Sequence, residues 1–457
     1  MIDRSAPPPP GEVRPFRFPD FQRTQLRNGL IVYAARLQGP PLISLEMEFP
    51  AGGQNDPGDR GGLATLTASL IDEGTERRGA LEIAAQVERI GGYLTTGADW
   101  DVGYLAVGCL SQHLPESLDL LAEVVTSPTF PEEEIERLRR QRLAELLRRS
   151  QDPSFLADER LAREIYRGTV YAHSLLGDEE SVSAISRPEV LAFYRRRYRL
   201  HGASLIAVGD LDPEGIVRQV EEAFGEGDRS AGEEPRVPEI RPQPFPGVAV
   251  HIVDRPGAAQ TELRLGHMGI SRNDPDYIPL LTLNALLGGK FTSRINLNLR
   301  ERHGYTYGAF SRFVGRLGPG PFVVNAAVAT EVAGAATCEA LGELRRIREE
   351  PVEPAELEET LSYMIGVFPY TLQTIGDLAK RLETLATYGL PDDYFNRYLE
   401  RLARVTREEL LEVAQRHLHP DRIAVVAVGP AETLEPQLES LGPVTVWARQ
   451  EEPSLAG

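Results

Sequence analysis

Apolar and polar residues alternate along two stretches near the start of the chain. Residues 23–37 alternate around an Asn28-Gly29 break, and residues 42–49 (LISLEMEF) alternate without one. A period of two puts successive side chains on opposite faces of a strand, so these stretches predict strands with a turn at Asn28-Gly29. The period then lengthens. Residues 62–72 and 80–90 carry helical patterns, and residues 93–110 read as a hairpin. Helices are predicted at 113–125, 131–150 and 154–166, the second long and highly charged. A further helix at 186–198 leads into the β-rich run SLIAVGD at 204–210, and a last one covers 213–224. Strands and helices come in blocks, which predicts an α+β unit: an antiparallel-rich sheet with helices on one face.

The pattern occurs twice. SRPEVLAFYRRRY at 186–198 and TREELLEVAQRHL at 406–418 each open with a Ser or Thr cap and an acidic residue three positions on. Each leads to a strand-like run, and Val208-Gly209 and Val428-Gly429 align at an offset of 220. Upstream, Asn55-Asp56-Pro57 matches Asn273-Asp274-Pro275 at an offset of 218. Two matches at nearly equal offsets predict a duplicated unit of about 220 residues. Between the copies, residues 226–246 are rich in Pro, Glu and Gly without periodicity, as a linker is. The expected organisation is a Pro-rich tail at 1–20, a first domain at 21–228, a linker at 229–245, a second domain at 246–450 and a tail at 451–457.

Charge and cysteine content narrow the partners. The net charge is −19, which argues against nucleic acid or an anionic membrane as a partner, because both select basic surface. Two cysteines, Cys109 and Cys338, supply neither a disulfide framework nor a Cys-based zinc site, and both are expected to be buried thiols. Only Lys290 and Lys380 are lysines against 47 arginines, a bias read as genomic. No apolar run approaches the ~20 residues of a membrane-spanning helix. The start, MIDRSAPPPPGEVRPFRFPD, fits either the remnant of a removed export signal or an unstructured cytoplasmic terminus, so compartment stays open between the two.

The chemistry turns on GGLATLTASLIDEGT at 61–75. In a hydrolytic zinc site two His one helical turn apart share a face, with a Glu as general base; the inverted form is H-x-x-E-H. From about Phe21 to Trp447 the chain resembles the inverse-zincin peptidases of the pitrilysin, insulysin and mitochondrial processing peptidase group, in its short two-domain bacterial type. The resemblance rests on Gly62-Leu63-Ala64, Gly74-Thr75, Gly91-Gly92 with the following hairpin, residues 171–210, and LLGGKFTSRINLNLRERHGYTYGA at 286–309. It implies two homologous halves of the mitochondrial processing peptidase/LuxS-like metallohydrolase fold. It puts Thr65 and Ser69 at the two His positions, Ala68 at the Glu, and Glu145 at the third ligand. Thr95-Thr96 replace the family's usual Asn-Ala on its substrate-binding strand. Taken alone, residues 65–69 read as an ordinary packed helix and Glu145 equally as a solvated helix face.

Hydroxyls are too short and too weakly basic to replace imidazole, and no two of the eight histidines lie four residues apart. No metal is therefore expected in this chain, and the chain alone is expected to be inactive. His417 and His419 flank a helix end and are expected to face water. By resemblance, Arg300 and Tyr307 fall on the Arg and Tyr with which one module reaches the zinc site of another. A guanidinium and a phenol suit a carbonyl oxygen that gains charge. By spacing alone, Arg300 ends an amphipathic helix and Tyr307 packs in a strand. Lys290, in the Gly288-Gly289 turn, is a weaker candidate. The implied function is the zinc-free subunit of a heterodimeric zinc endopeptidase. Its partner is a homologous H-x-x-E-H chain that carries the zinc, and its substrates are peptides held in a closed chamber. A homodimer of the isolated chain is left open. The alternative is a structural or peptide-binding protein of the same fold.

Overall fold

Two six-stranded sheets organise the computed structural model, which describes residues 16–225, 240 and 245–448. The tail before residue 16, nearly all of the expected linker and residues 451–457 lie outside the described residues. The first sheet contains β1 (Gln22–Gln25), β2 (Ile31–Arg36), β3 (Leu42–Phe49), β4 (Tyr93–Ala98), β5 (Gly103–Leu110) and β6 (Ser204–Gly209). Its order is β1-β2-β6-β3-β5-β4, with β2 and β6 parallel and the other pairs antiparallel. The second contains β7 (Ala249–Asp254), β8 (Gln260–Met268), β9 (Thr306–Phe313), β10 (Pro321–Ala329), β11 (Ala424–Gly429) and β12 (Val444–Trp447), ordered β12-β7-β11-β8-β10-β9.

Five strands correspond between the sheets, and the sixth comes from opposite ends: β1 precedes its sheet in sequence, whereas β12 ends its own. β6 and β11 are buried along their whole length, so SLIAVG and AVVAVG are continuous small apolar runs. β4 and β9 are the outer strands on the equivalent edge of each sheet.

Each sheet packs one face on helices of its own half. On β3 the side chains of Ile43, Leu45, Met47 and Phe49 join the core under the helices Leu63–Leu70, Leu114–Thr126 and Pro213–Phe224. The alternate face carries Ser44, Glu46 and Glu48, a polar pattern that predicts solvent. The structure differs here. The helix Ile375–Tyr388, from the second half of the chain, lies across β6 and β3 and buries Leu378, Leu382 and Leu385 against Ile206 and Val208. The helix Pro153–Ile165 makes the reverse crossing, covering β8 and β11 with Ala157, Leu161 and Ile165. Helices thus cover both faces, and one layer on each sheet is contributed by the other half.

Each crossing helix has its own start signal. Thr374 Oγ1 accepts from the Asp377 N–H at 3.1 Å, and Asp152 Oδ1 accepts from the Ser154 N–H at 2.9 Å with Pro153 in the first turn. At the second sheet, Gly266 makes room for the crossing: a Cβ there would stand 2.8 Å from Leu161 Cδ2. Arg264 on β8 is buried and donates to Asp158 of the crossing helix at 2.6 Å.

At the first sheet the covered polar face has a different solution. Carboxylate oxygens of Glu46, Glu48 and Glu383 lie within 4.8 Å of one another. Burial, then a hydrogen bond to Glu383, raises the Glu46 carboxyl to about 10, and burial raises Glu383 as well. The pair therefore shares a proton, with Lys380 nearby and Thr387 Oγ1 donating to Glu48 at 2.8 Å. A second seam joins the halves at the β4–β5 turn. Asp101 accepts from the Leu317 N–H at 3.1 Å and the Tyr388 hydroxyl at 3.3 Å, while Arg316 stacks over Trp100 and Tyr171.

Two outcomes are expected. Leu382→Ala should cost about 2–5 kcal/mol in urea unfolding and speed amide exchange in β6, although residue 382 belongs to the other half. Because the Glu46 carboxyl is raised, the folded state holds its proton after the unfolded state has lost it, so stability falls as pH climbs from the ordinary carboxylate range toward about 10. Glu46→Gln should make that decline shallower in urea midpoints taken from pH 6 to 9; an unchanged slope would rule out the shared proton.

Candidate functional site

The helix Leu63–Leu70 is set by a buried aspartate. Asp56 accepts from the Gly62 N–H at 2.9 Å and the Ala64 N–H at 2.7 Å, and His173 contacts it at 3.2 Å. The Asn-Asp-Pro triplet that marks the repeat is thus the cap of this helix. Within it, Ala68 is buried. Ser69 Oγ donates back to the Thr65 carbonyl at 2.9 Å. Thr65, also buried, has its hydroxyl 3.1 Å from both the Gly62 and Leu175 carbonyls.

Glu145 lies on the neighbouring helix Glu132–Arg149, and it is not a free carboxylate. Arg149 Nε donates to it at 2.9 Å, and Arg142 Nε stands 3.7 Å from its second oxygen. Arg142 itself reaches Thr65 Oγ1 at 2.8 Å and the Leu176 carbonyl at 3.4 Å. Only 10% of its side chain is exposed, and burial lowers its pKa. The structure therefore brings Thr65 and Glu145 together through a guanidinium. A catalytic zinc needs about three basic protein ligands around one open position. Here the donors are two committed hydroxyls and one paired carboxylate, with a buried cation among them, so the residues do not fit the metal.

Arg142 was missed in the sequence because its helix reads as uniformly charged. The available signal was position: Arg142 precedes Glu145 by one helical turn and so shares its face.

Arg300 and Tyr307 are brought together in the second half. Residues Leu297–Arg302 form a wide π-helical turn, and Gly304, at φ +67°, takes the left-handed conformation that ends it and turns the chain into β9. The Arg300 guanidinium lies 4.7 Å from the Tyr307 ring centroid and 4.8 Å from that of Phe291. Its Nε is 3.1 Å from Glu301 Oε1. Tyr307 is 88% exposed and Phe291 61%, so the sandwich stands out from an edge strand. Phe291 was not singled out in the sequence, although it follows Lys290 in the same motif. Lys290 pairs with Glu359 at 3.1 Å and its side chain is buried. The contacts of Arg300 and Tyr307 lie within the second half and do not extend to Thr65.

Other candidates resolve into structure. His417 does not face water: its Nε2 is 2.7 Å from Asp276, which Arg416 also engages. His419 packs on His267 with ring centroids 5.0 Å apart, and its N–H donates to His267 Nε2 at 3.2 Å. Both differ from the sequence expectation because the helix end is docked, His417 on Asp276 at the start of the helix Tyr277–Asn284 and His419 on His267 of β8. Cys109 is buried as expected, Cys338 is exposed, and both are free. Among the described residues, no helix is long and apolar enough to cross a membrane.

Residues 40–179 match the family model described as Insulinase (Peptidase family M16), and residues 184–364 match that described as Peptidase M16 inactive domain. The chain is similar to an uncharacterized zinc protease of Streptomyces coelicolor, 23% identical over 414 residues that span 90% of this chain and 89% of the relative. It is also similar to the non-peptidase homolog YmxG of Helicobacter pylori, 22% identical over 388 residues, 82% of this chain and 86% of the relative. A crystal structure of a peptidase M16 inactive domain from Pseudomonas fluorescens aligns with TM-score 0.83 and 26% identity, covering 90% of this chain and 98% of that one.

Removing the buried cap should loosen the helix Leu63–Leu70. Asp56→Ala is expected to lower the unfolding free energy in urea by about 1–2 kcal/mol. A loss below a few tenths would show that the backbone holds without it.

Proposed function

We propose, for a chain that belongs to peptidase family M16, the insulinase family, that it is the zinc-free subunit of a two-chain peptidase. The observation that carries this reading is the asymmetry between the halves. The helix Leu63–Leu70 offers hydroxyls where two metal ligands would stand and a methyl group where the general base would, which makes this a non-catalytic member of the family. The second half holds Arg300 between two exposed rings beside an edge strand. The two rings and the 3.1 Å contact with Glu301 fix the guanidinium in place, and a fixed donor is what a developing oxyanion requires.

In this reading a homologous partner supplies H-x-x-E-H and the zinc. Arg300 and Tyr307 reach into the partner's site, bind the substrate backbone and stabilise the oxyanion. Each chain forms half the wall of a closed chamber. Extended peptides add to a sheet edge of the partner by main-chain hydrogen bonds. Enclosure restricts substrates to short or unfolded peptides. A scaffold role is the second reading, and the relative named as a non-peptidase homolog favours keeping it.

Co-expression with a candidate H-x-x-E-H homologue, followed by a peptide-cleavage assay, separates the two. Arg300→Ala is expected to reduce turnover by ~10²–10³, and Tyr307→Phe to reduce it in the same direction. Unaltered turnover in both variants would leave the scaffold.

A further inference from the structure

We infer that Arg142 is the built-in cation of the former metal position, and that it keeps this half metal-free independently of the missing ligands. The guanidinium stands where three elements meet. It donates to Thr65 on the helix Leu63–Leu70 at 2.8 Å and to the Leu176 carbonyl in the loop after the helix Pro153–Ile165 at 3.4 Å, and it lies 3.7 Å from Glu145 on its own helix. A metal would join these elements by coordination; the guanidinium joins them by hydrogen bonds and charge. It also takes up the one carboxylate left in the set, which Arg149 engages from the other side.

Two physical consequences follow. Arginine stays protonated in proteins, so the site carries a permanent positive charge at every pH at which the chain folds. A divalent cation placed beside Glu145 would meet that charge at contact distance, in surroundings that screen it poorly. The side chain also fills the space, because little of it is exposed. Restoring the ligands is therefore insufficient to restore a metal site. This inference rests on the geometry around Thr65 and makes no use of a partner chain.

The test uses the full chain in two forms, Thr65→His/Ala68→Glu/Ser69→His and the same three changes with Arg142→Ala. Each is loaded with zinc chloride, desalted and assayed for zinc by elemental analysis, with circular dichroism confirming the fold. The fourfold variant is expected to keep about one zinc per chain, and the threefold variant about tenfold less. Equal zinc in both, or none in the fourfold variant, would overturn the inference. Should the fourfold variant fail to fold, Arg142→Ala alone provides the second reading. Amide exchange in the helix Leu63–Leu70 is expected to quicken about tenfold, as the cross-link is lost; unchanged exchange would overturn the bridging role. Neither measurement involves peptide cleavage, so the result stands apart from the subunit proposal.

Discussion

The reciprocal crossing of two helices governs this structure. Each sheet has one face that its own half covers and one face that only the other half can cover. The helix Ile375–Tyr388 closes the first sheet and the helix Pro153–Ile165 closes the second. Full burial of a leucine side chain is worth about 1.5–3 kcal/mol, so Leu378, Leu382 and Leu385 together bind the halves more firmly than the surface ion pairs can. The exchange makes the two halves depend on each other for their cores, which is more than a linker could impose.

The crossing also explains the buried charge. A strand with one polar face is ordinary when that face meets water. Here Glu46 and Glu48 on one sheet and Arg264 on the other are covered, so each must be neutralised in place. Arg264 finds Asp158 on the helix that covers it. Glu46 finds Glu383, another acid, and the pair is accommodated by keeping a proton. Similar architecture thus accommodates opposite electrostatics, and the choice lies in a few residues of the crossing helices.

Against that scaffold the two candidate sites diverged. In the first half a capped, well-packed helix remains, and its polar groups are turned inward on the backbone or tied to Arg142. In the second half Arg300 is held by aromatic faces and stays partly open to solvent, with Tyr307 almost wholly exposed. One site is satisfied internally; the other keeps its donors outward. That contrast, together with membership of a peptidase family, is the basis for proposing that the chain plays a supporting part in another chain's chemistry.

Local pattern was sufficient for much of this. Alternation over LISLEMEF specified β3, the capping residues specified the starts of several helices, and the order of Thr65, Ala68 and Ser69 showed that the imidazoles were absent. The wide turn carrying Arg300 and the strand carrying Tyr307 follow one another closely in sequence, so their pairing was within reach of motif reading. Tertiary structure alone decided three things. It put Ile375–Tyr388 over a strand more than 300 residues away, docked His417 on Asp276 and His419 on β8 in place of water, and placed the Arg142 guanidinium between Thr65 and Glu145. The physical reason is the same in each case. Periodicity records which face of an element is apolar, whereas contacts between distant elements depend on which surface arrives there, and that is set only when the whole chain packs.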